Sequence, residues 1–148
     1  YYTPHCIKGV GKEKYLDPKF KEKHLAGVQK QEYYDIVIEG MENALLPGGT
    51  AYASRLKDIV VCGKTGTAQN PHGKDHAVFL AFAPKENPKV AIACLVENAG
   101  FGGVWSAPIV TLLMEKYLKG KTDRPELEKR IMEANLIDGS IKVLDKLD

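Results

Sequence analysis

An α+β fold, an antiparallel β-sheet flanked by helices, is what this sequence predicts, and three observations predict it. Two apolar runs, Ala77–Ala83 and Val90–Val96, are joined by only Pro84-Lys85-Glu86-Asn87-Pro88, a connection short enough to require an antiparallel pair. Apolar residues at helical spacing precede them, at Tyr34, Val37, Ile38, Met41 and Leu45, and a denser apolar period follows at Ile109 to Leu118. The 148 residues, 44% of them hydrophobic and 27% charged, are enough for one buried core.

The elements follow in order. Residues 1–30 are mixed, with a short extended patch at His5–Val10 and a lysine-rich stretch, Lys12–Lys23, that reads as solvated surface. The amphipathic helix is expected over residues 32–46, as core, and Pro47-Gly48-Gly49 ends it because proline cannot continue a helix. A strand begins at Ile59–Cys62 and runs to Gln69, where Asn70-Pro71-His72-Gly73 breaks it. The next two runs are apolar on both alternating faces, which predicts helices on both faces of the sheet. The small residues Ala77, Ala81, Ala91 and Ala93 would let those helices approach closely. Gly100–Gly103 reads as a flexible turn, Ser106 as the N-cap of a mostly buried helix over Ala107–Lys119, and Gly120 as its C-cap. A charged helix over Pro125–Asn135 and a weakly ordered tail complete the chain. The sheet order expected is 59–69, 77–83, 89–97.

Composition excludes several classes. A net charge of +2 and the absence of a long Lys/Arg run give no argument for nucleic acid. No apolar run in the sequence reaches the roughly 18 residues of a membrane span. Cys6, Cys62 and Cys94 have no CxxC spacing, and the last two sit in apolar runs as small hydrophobes. His72, Asp75 and His76 read as a polar turn rather than a metal cluster, Trp105 reads as packing, and no cofactor is called for.

The chemistry concentrates in Cys62–Asn70, CGKTGTAQN. Gly63-Lys64-Thr65 is how a phosphate-binding loop ends, but such a loop needs glycine where this chain has Asp58, and a helix where Asn70-Pro71 follows. As a strand, the motif places Lys64 and Gly66 on one face and Thr65 and Thr67 on the other. A cation, two hydroxyls and a bare glycine on one edge strand suit an extended peptide ending in a carboxylate.

Lys-Thr-Gly in that role is one of three signatures of serine acyltransferases inactivated by penicillin, beside S-x-x-K and S-x-N. Three letters are a weak signal; the surroundings are specific. The stretch GKTGTAQNPHGKDHAVFLAFAPKENPKVAIACLVENAG, with EGMENALLPGGTA and YYTPHCIKG upstream, strongly resembles the C-terminal part of the transpeptidase domain of class B penicillin-binding proteins, especially the elongation type. The resemblance covers roughly residues 1–11 and 33–120; residues 12–32 and the expected helical tail, 121–148, look lineage-specific. It implies part of a penicillin-binding protein/β-lactamase-like transpeptidase fold, the D,D-transpeptidation of peptidoglycan stem peptides, and β-lactams as inhibitors. It further implies a parent protein anchored by an N-terminal helix at the periplasmic face of a bacterial inner membrane, beside a membrane glycosyltransferase. By resemblance, Lys64 lies near the substrate carboxylate and the proton relay, Thr65 and Thr67 hold that carboxylate, the Thr67 backbone N–H is an oxyanion donor, and Gly66 must stay bare.

The nucleophile is where the chain departs from the pattern. It holds three serines, Ser54, Ser106 and Ser140, and no S-x-N. Ser54-Arg55-Leu56-Lys57 spells S-x-x-K, but it stands ten residues before Lys64 with no helical period around it. The chain, opening without Met, therefore reads as a C-terminal piece of a transpeptidase domain carrying half a site, inactive by itself. The alternatives are a non-catalytic peptide-terminus-binding or scaffold domain of the same fold, or a β-lactam sensor or hydrolase.

Overall fold

A computed structural model of the chain describes residues 1–24 and 30–136. The chain divides into two compact units, Tyr1–Tyr34 and Asp35 onward. In the first, two isolated antiparallel bridges, Tyr2 with Lys23 and Val10 with Tyr15, hold irregular chain together. A single 3-10 turn, Pro18–Phe20, is capped by the Asp17 carboxylate, which accepts from the Lys19 N–H at 3.0 Å.

Helix α1, Gln31–Asn43, matches the expected period but buries no side chain: Ile36 and Val37 are 67% and 60% exposed. Of the expected 32–46 only Leu45, just past the end of α1, lies in the core, with Ala44 packed against it; α1 itself is not core among the described residues, which corrects the sequence expectation. After it, Gly48, at φ 87°, turns the chain sharply. Gly49 then passes so close to the preceding residues that a β-carbon there would meet the Ala44 carbonyl at 2.4 Å. This returns Ala51 to the core, where its N–H donates to the Ala44 carbonyl at 2.8 Å.

Strands β1 (Cys62–Ala68), β2 (His76–Ala83) and β3 (Val90–Val96) form an antiparallel meander in the order β1-β2-β3. The first strand begins at Cys62 rather than Ile59; Val60 instead takes one hydrogen bond from the Lys85 N–H beyond β2. Helix α2 (Ser106–Lys119) lies on the sheet, and α3 (Pro125–Met132) packs on α2. Gly120, at φ 77°, caps α2 in the left-handed conformation and donates its N–H to the Lys116 carbonyl. Ser106 is not the N-cap; it is the first helical residue, wholly buried.

Register sorts the side chains by face. Ala77, Phe79, Ala81 and Ala83 point to α2 and meet Val110, Met114, Ala107, Val61, Leu45 and Ala51 in the core. Val78, Leu80 and Phe82, with Ala91, Ala93 and Leu95 of β3, form the opposite face, where Leu80 and Leu95 are 46% and 55% exposed. Helices therefore cover one face only among the described residues, against the expectation of two. A continuous apolar run marks a strand made to be covered twice, but no described helix supplies the second layer. For the same reason α2 is buried on one side while its Leu113 and Tyr117 stay exposed, although its pattern is apolar all round. The last expected helix ends at Met132 rather than Asn135; the expected tail beyond residue 136 lies outside the described residues.

Candidate active site

The KTG motif lies within β1, so no helix opens at Thr65–Gln69 and the phosphate-loop geometry is absent. This strand pairs only with β2 among the described residues, which leaves its outer edge for another extended chain. Pairing of Lys64 with Leu80, Thr65 with Phe79, Gly66 with Val78 and Thr67 with Ala77 settles the alternation expected from the sequence. Lys64 is exposed on the open face, its Nζ donating to the Thr65 carbonyl at 2.6 Å. Thr65 and Thr67 lie on the α2 side, the first half-buried and the second exposed. A β-carbon on Gly66 would lie 3.3 Å from Val78 Cβ, so a side chain there would crowd the cross-strand neighbour.

Two features that the sequence did not announce hold this strand. The Thr65 hydroxyl is hydrogen-bonded to the Thr50 hydroxyl at 2.8 Å. A hydroxyl has one proton and two acceptor sites, so Thr65 can accept from Thr50 while giving its own proton to an anion. The second feature is the glycine loop. A β-carbon on Gly102 would fall 2.0 Å from the Val78 carbonyl oxygen and 2.7 Å from that of Gly66, and one on Gly103 would fall 2.3 Å from the Thr50 carbonyl oxygen. Backbone therefore lies flush on backbone, and the loop expected to be a flexible turn is instead wedged between β1 and the Gly48–Thr50 turn. A run of glycines beside a strand was the available signal, since close approach is the other reason for glycine besides turning.

Past the end of β1 a polar network closes the turn. The Asn70 N–H donates to the Asp75 carboxylate at 3.1 Å, its side-chain amide to Asn98 Oδ1 at 2.7 Å, and the Asn98 N–H to His76 Nδ1 at 3.0 Å. Asp75 Oδ1 and His76 Nδ1 thus brace the turn that joins β1 to β2. No group of three His, Cys, Asp or Glu residues among those described is arranged to hold a metal ion.

Ser54 does not join the motif. It ends a 3-10 turn, Tyr52–Ser54, and is 1% exposed; its carbonyl accepts from Arg124 at 3.0 Å. Lys57, the lysine of the apparent S-x-x-K, is exposed. A nucleophile needs an activating base and an open approach, and a sealed hydroxyl has no approach. Trp105, expected to pack, is half-buried with the Arg130 guanidinium 5.6 Å over its ring.

The chain is similar to known proteins over most of its length. The family described as "Penicillin binding protein transpeptidase domain" matches residues 1–115. A peptidoglycan D,D-transpeptidase MrdA of Haemophilus influenzae is 32% identical over 149 residues, covering 86% of this chain and 22% of that protein. The crystal structure of Pseudomonas aeruginosa PBP2 in complex with WCK 5153 superposes with a TM-score of 0.58 at 34% identity, over 68% of this chain and 23% of that one. Helicobacter pylori PBP2, solved in complex with MreC, gives a TM-score of 0.50 at 34% identity over 61% of this chain and 18% of its own. The chain thus spans about a fifth of the length of these relatives. With the family match running through all three strands and most of α2, this chain belongs to the transpeptidase domain family of the penicillin-binding proteins.

Proposed function

We propose that residues 1–148 are the C-terminal portion of the transpeptidase domain of an elongation-type peptidoglycan D,D-transpeptidase, with the core at about 33–120 and 121–148 as a tail. The observation that carries this is the edge strand β1, with Lys64 exposed on one face and the Thr65 hydroxyl held by Thr50 beside the exposed Thr67 on the other. A stem peptide ending in D-Ala-D-Ala lies along the outer edge of β1. Its carboxylate is held by Lys64 and the Thr65 and Thr67 hydroxyls, charge-assisted bonds of the stronger kind. A serine from a segment preceding this chain attacks the penultimate D-Ala carbonyl carbon, and its proton passes to a neighbouring base. The negative charge that develops on the carbonyl oxygen is met by the Thr67 N–H; losing one such donor costs about 10²–10³ in rate. The C–N bond breaks, the terminal D-Ala leaves with the proton, and the acyl group on serine passes to an amine of a neighbouring strand. β-Lactams enter by the same route and stop at the acyl stage.

The MreC complex of the Helicobacter pylori relative supports an MreC-like scaffold as a partner of the whole protein; the family resemblance supports a place at the periplasmic face of the inner membrane, an N-terminal anchoring helix and a neighbouring membrane glycosyltransferase. No described helix is itself long and apolar enough to cross a membrane.

The test is Lys64→Ala in the complete protein. Acylation by a fluorescent penicillin should fall by about 10²-fold or more, an effect of the size expected for a preorganised charge. The melting temperature should stay close to the parental value, because an exposed side chain contributes about 0.5 kcal/mol or less. Parental acylation by the variant would remove Lys64 from the mechanism, whereas a parent that takes up no penicillin would favour a non-catalytic binding domain.

A further inference from the structure

Beyond residue 115, where the family match ends, the chain returns to the candidate site from behind. The Arg130 guanidinium donates to the Val104 carbonyl at 3.1 Å and covers the Trp105 ring. The Arg124 Nη1 donates to the Ser54 carbonyl at 3.0 Å and to the Thr111 hydroxyl at 3.3 Å, while its Nε donates to the buried Glu115 carboxylate at 2.9 Å. Lys119 adds ion pairs to Glu115, Asp58 and Asp123. The two carbonyls taken by the arginines, 50 residues apart in sequence, belong to the two segments wedged against β1. Val104 follows Gly102 and Gly103; Ser54 closes the turn that begins after Thr50.

What this anchoring controls follows from the planarity of the peptide bond. The Gly66 carbonyl and the Thr67 N–H belong to one rigid group, and Gly102 is seated against that carbonyl with no room for even a methyl. Residues 102–104 thus press on a peptide group that is also held in the ladder opposite Val78, and a shift of the loop can turn the Thr67 N–H.

We propose that the segment Gly120–Met132 is an intramolecular clasp that orients the Gly66–Thr67 peptide group, with Arg130 and Arg124 as positioning residues. Neither arginine touches the substrate; they act through the loop and the turn. The functional half of this proposal rests on the enzyme reading above, because it takes the Thr67 N–H to be an oxyanion donor.

The experiment compares Arg130→Ala and Arg130→Lys with the parent in the complete protein, well below the melting temperature of each. Two quantities are read: hydrogen exchange of the peptide containing Gly63–Ala68, and the acylation rate constant k2 of a chromogenic β-lactam separated from its binding constant K. Arg130→Ala should speed exchange in that peptide and lower k2 about tenfold, because small misplacements at a reacting centre are costly. K should stay within about twofold, since the carboxylate contacts survive. Arg130→Lys keeps a cation and a donor for Val104 and should recover most of k2. If the alanine variant only melts earlier, with exchange and k2 unchanged, the clasp is structural and the proposal is overturned. Faster exchange with k2 unchanged overturns it equally, provided the parent is acylated in the same assay. Should the parent take up no β-lactam, the enzyme reading falls first, and the exchange result alone decides whether the clasp orients the strand.

Discussion

Replacing Gly102 by alanine isolates the contact on which the geometry of the KTG strand depends. Gly102 does not adopt a positive φ, so alanine meets no backbone penalty, and the whole cost is steric. The added β-carbon would fall 2.0 Å from the Val78 carbonyl oxygen, 3.0 Å from its carbonyl carbon and 2.7 Å from the Gly66 carbonyl oxygen. All three are backbone atoms of the paired strands, which cannot swing aside as a side chain would. Reaching ordinary van der Waals separation requires one backbone to retreat by roughly 1.4 Å or more. Overpacking of this kind costs about 1–3 kcal/mol, and a displacement near 1 Å at a reacting centre costs about 10² in rate. Gly102→Ala in the complete protein should therefore unfold at lower urea and be acylated by penicillin about 10²-fold more slowly. The same substitution at Gly100, where φ is 80° and no atom lies within 4 Å of the new β-carbon, should affect stability through backbone strain and leave acylation nearly intact. Parental acylation by Gly102→Ala would refute the idea that the loop determines the placement of Gly66.

Phe79 is fully buried, and its ring occupies the space over Gly63, where a β-carbon would lie 2.4 Å from Cζ; Phe79→Ala should destabilise the domain by about 3–5 kcal/mol, measured by urea unfolding. Lys119 holds the carboxyls of Asp58 and Asp123 below their usual range through hydrogen bonds, and its own ammonium is raised, chiefly by Asp58. With folded carboxyls titrating below the unfolded value of about 3.9, their contribution is present above that pH and lost as pH falls through the folded value. The Lys119 contribution is full below about pH 10.4 and lost only above it. Melting temperatures between pH 3 and 7 should thus drop at the acid end, and less steeply in Asp58→Asn; identical acid slopes would contradict the pairing. Incubated alone with a fluorescent penicillin, the 148-residue chain should take up no covalent label by intact mass, and an adduct mapped to Ser54 would refute the half-site assignment.

Local rules were enough for the elements and for the strand at the centre of the site. Period and punctuation lie within a few residues of each other, so α1, the β2–β3 hairpin and the glycine cap of α2 could be read directly. Alternation along β1 needed only the strand's period of two, which is why Lys64 was placed opposite Thr65 and Thr67 without coordinates. Asp58 in place of a glycine, and Asn70-Pro71, likewise excluded a phosphate loop by covalent geometry alone. Tertiary structure decided everything that depends on which surfaces meet. An apolar face shows that a strand or helix can be covered, not that a partner is present, so α1 and the Leu80 face were assigned a covering that no described element provides. Ser106 had the chemistry of a cap, but packing drew it inside α2, where Trp105 precedes it. Thr50 and Thr65 stand fifteen residues apart, and Arg124 reaches a carbonyl seventy residues away; no sequence period links such pairs, because only chain reversal brings them together. Gly102 and Gly103 carried a signal with two meanings, turn or close approach, and the difference lies in the backbone on the other side of the contact.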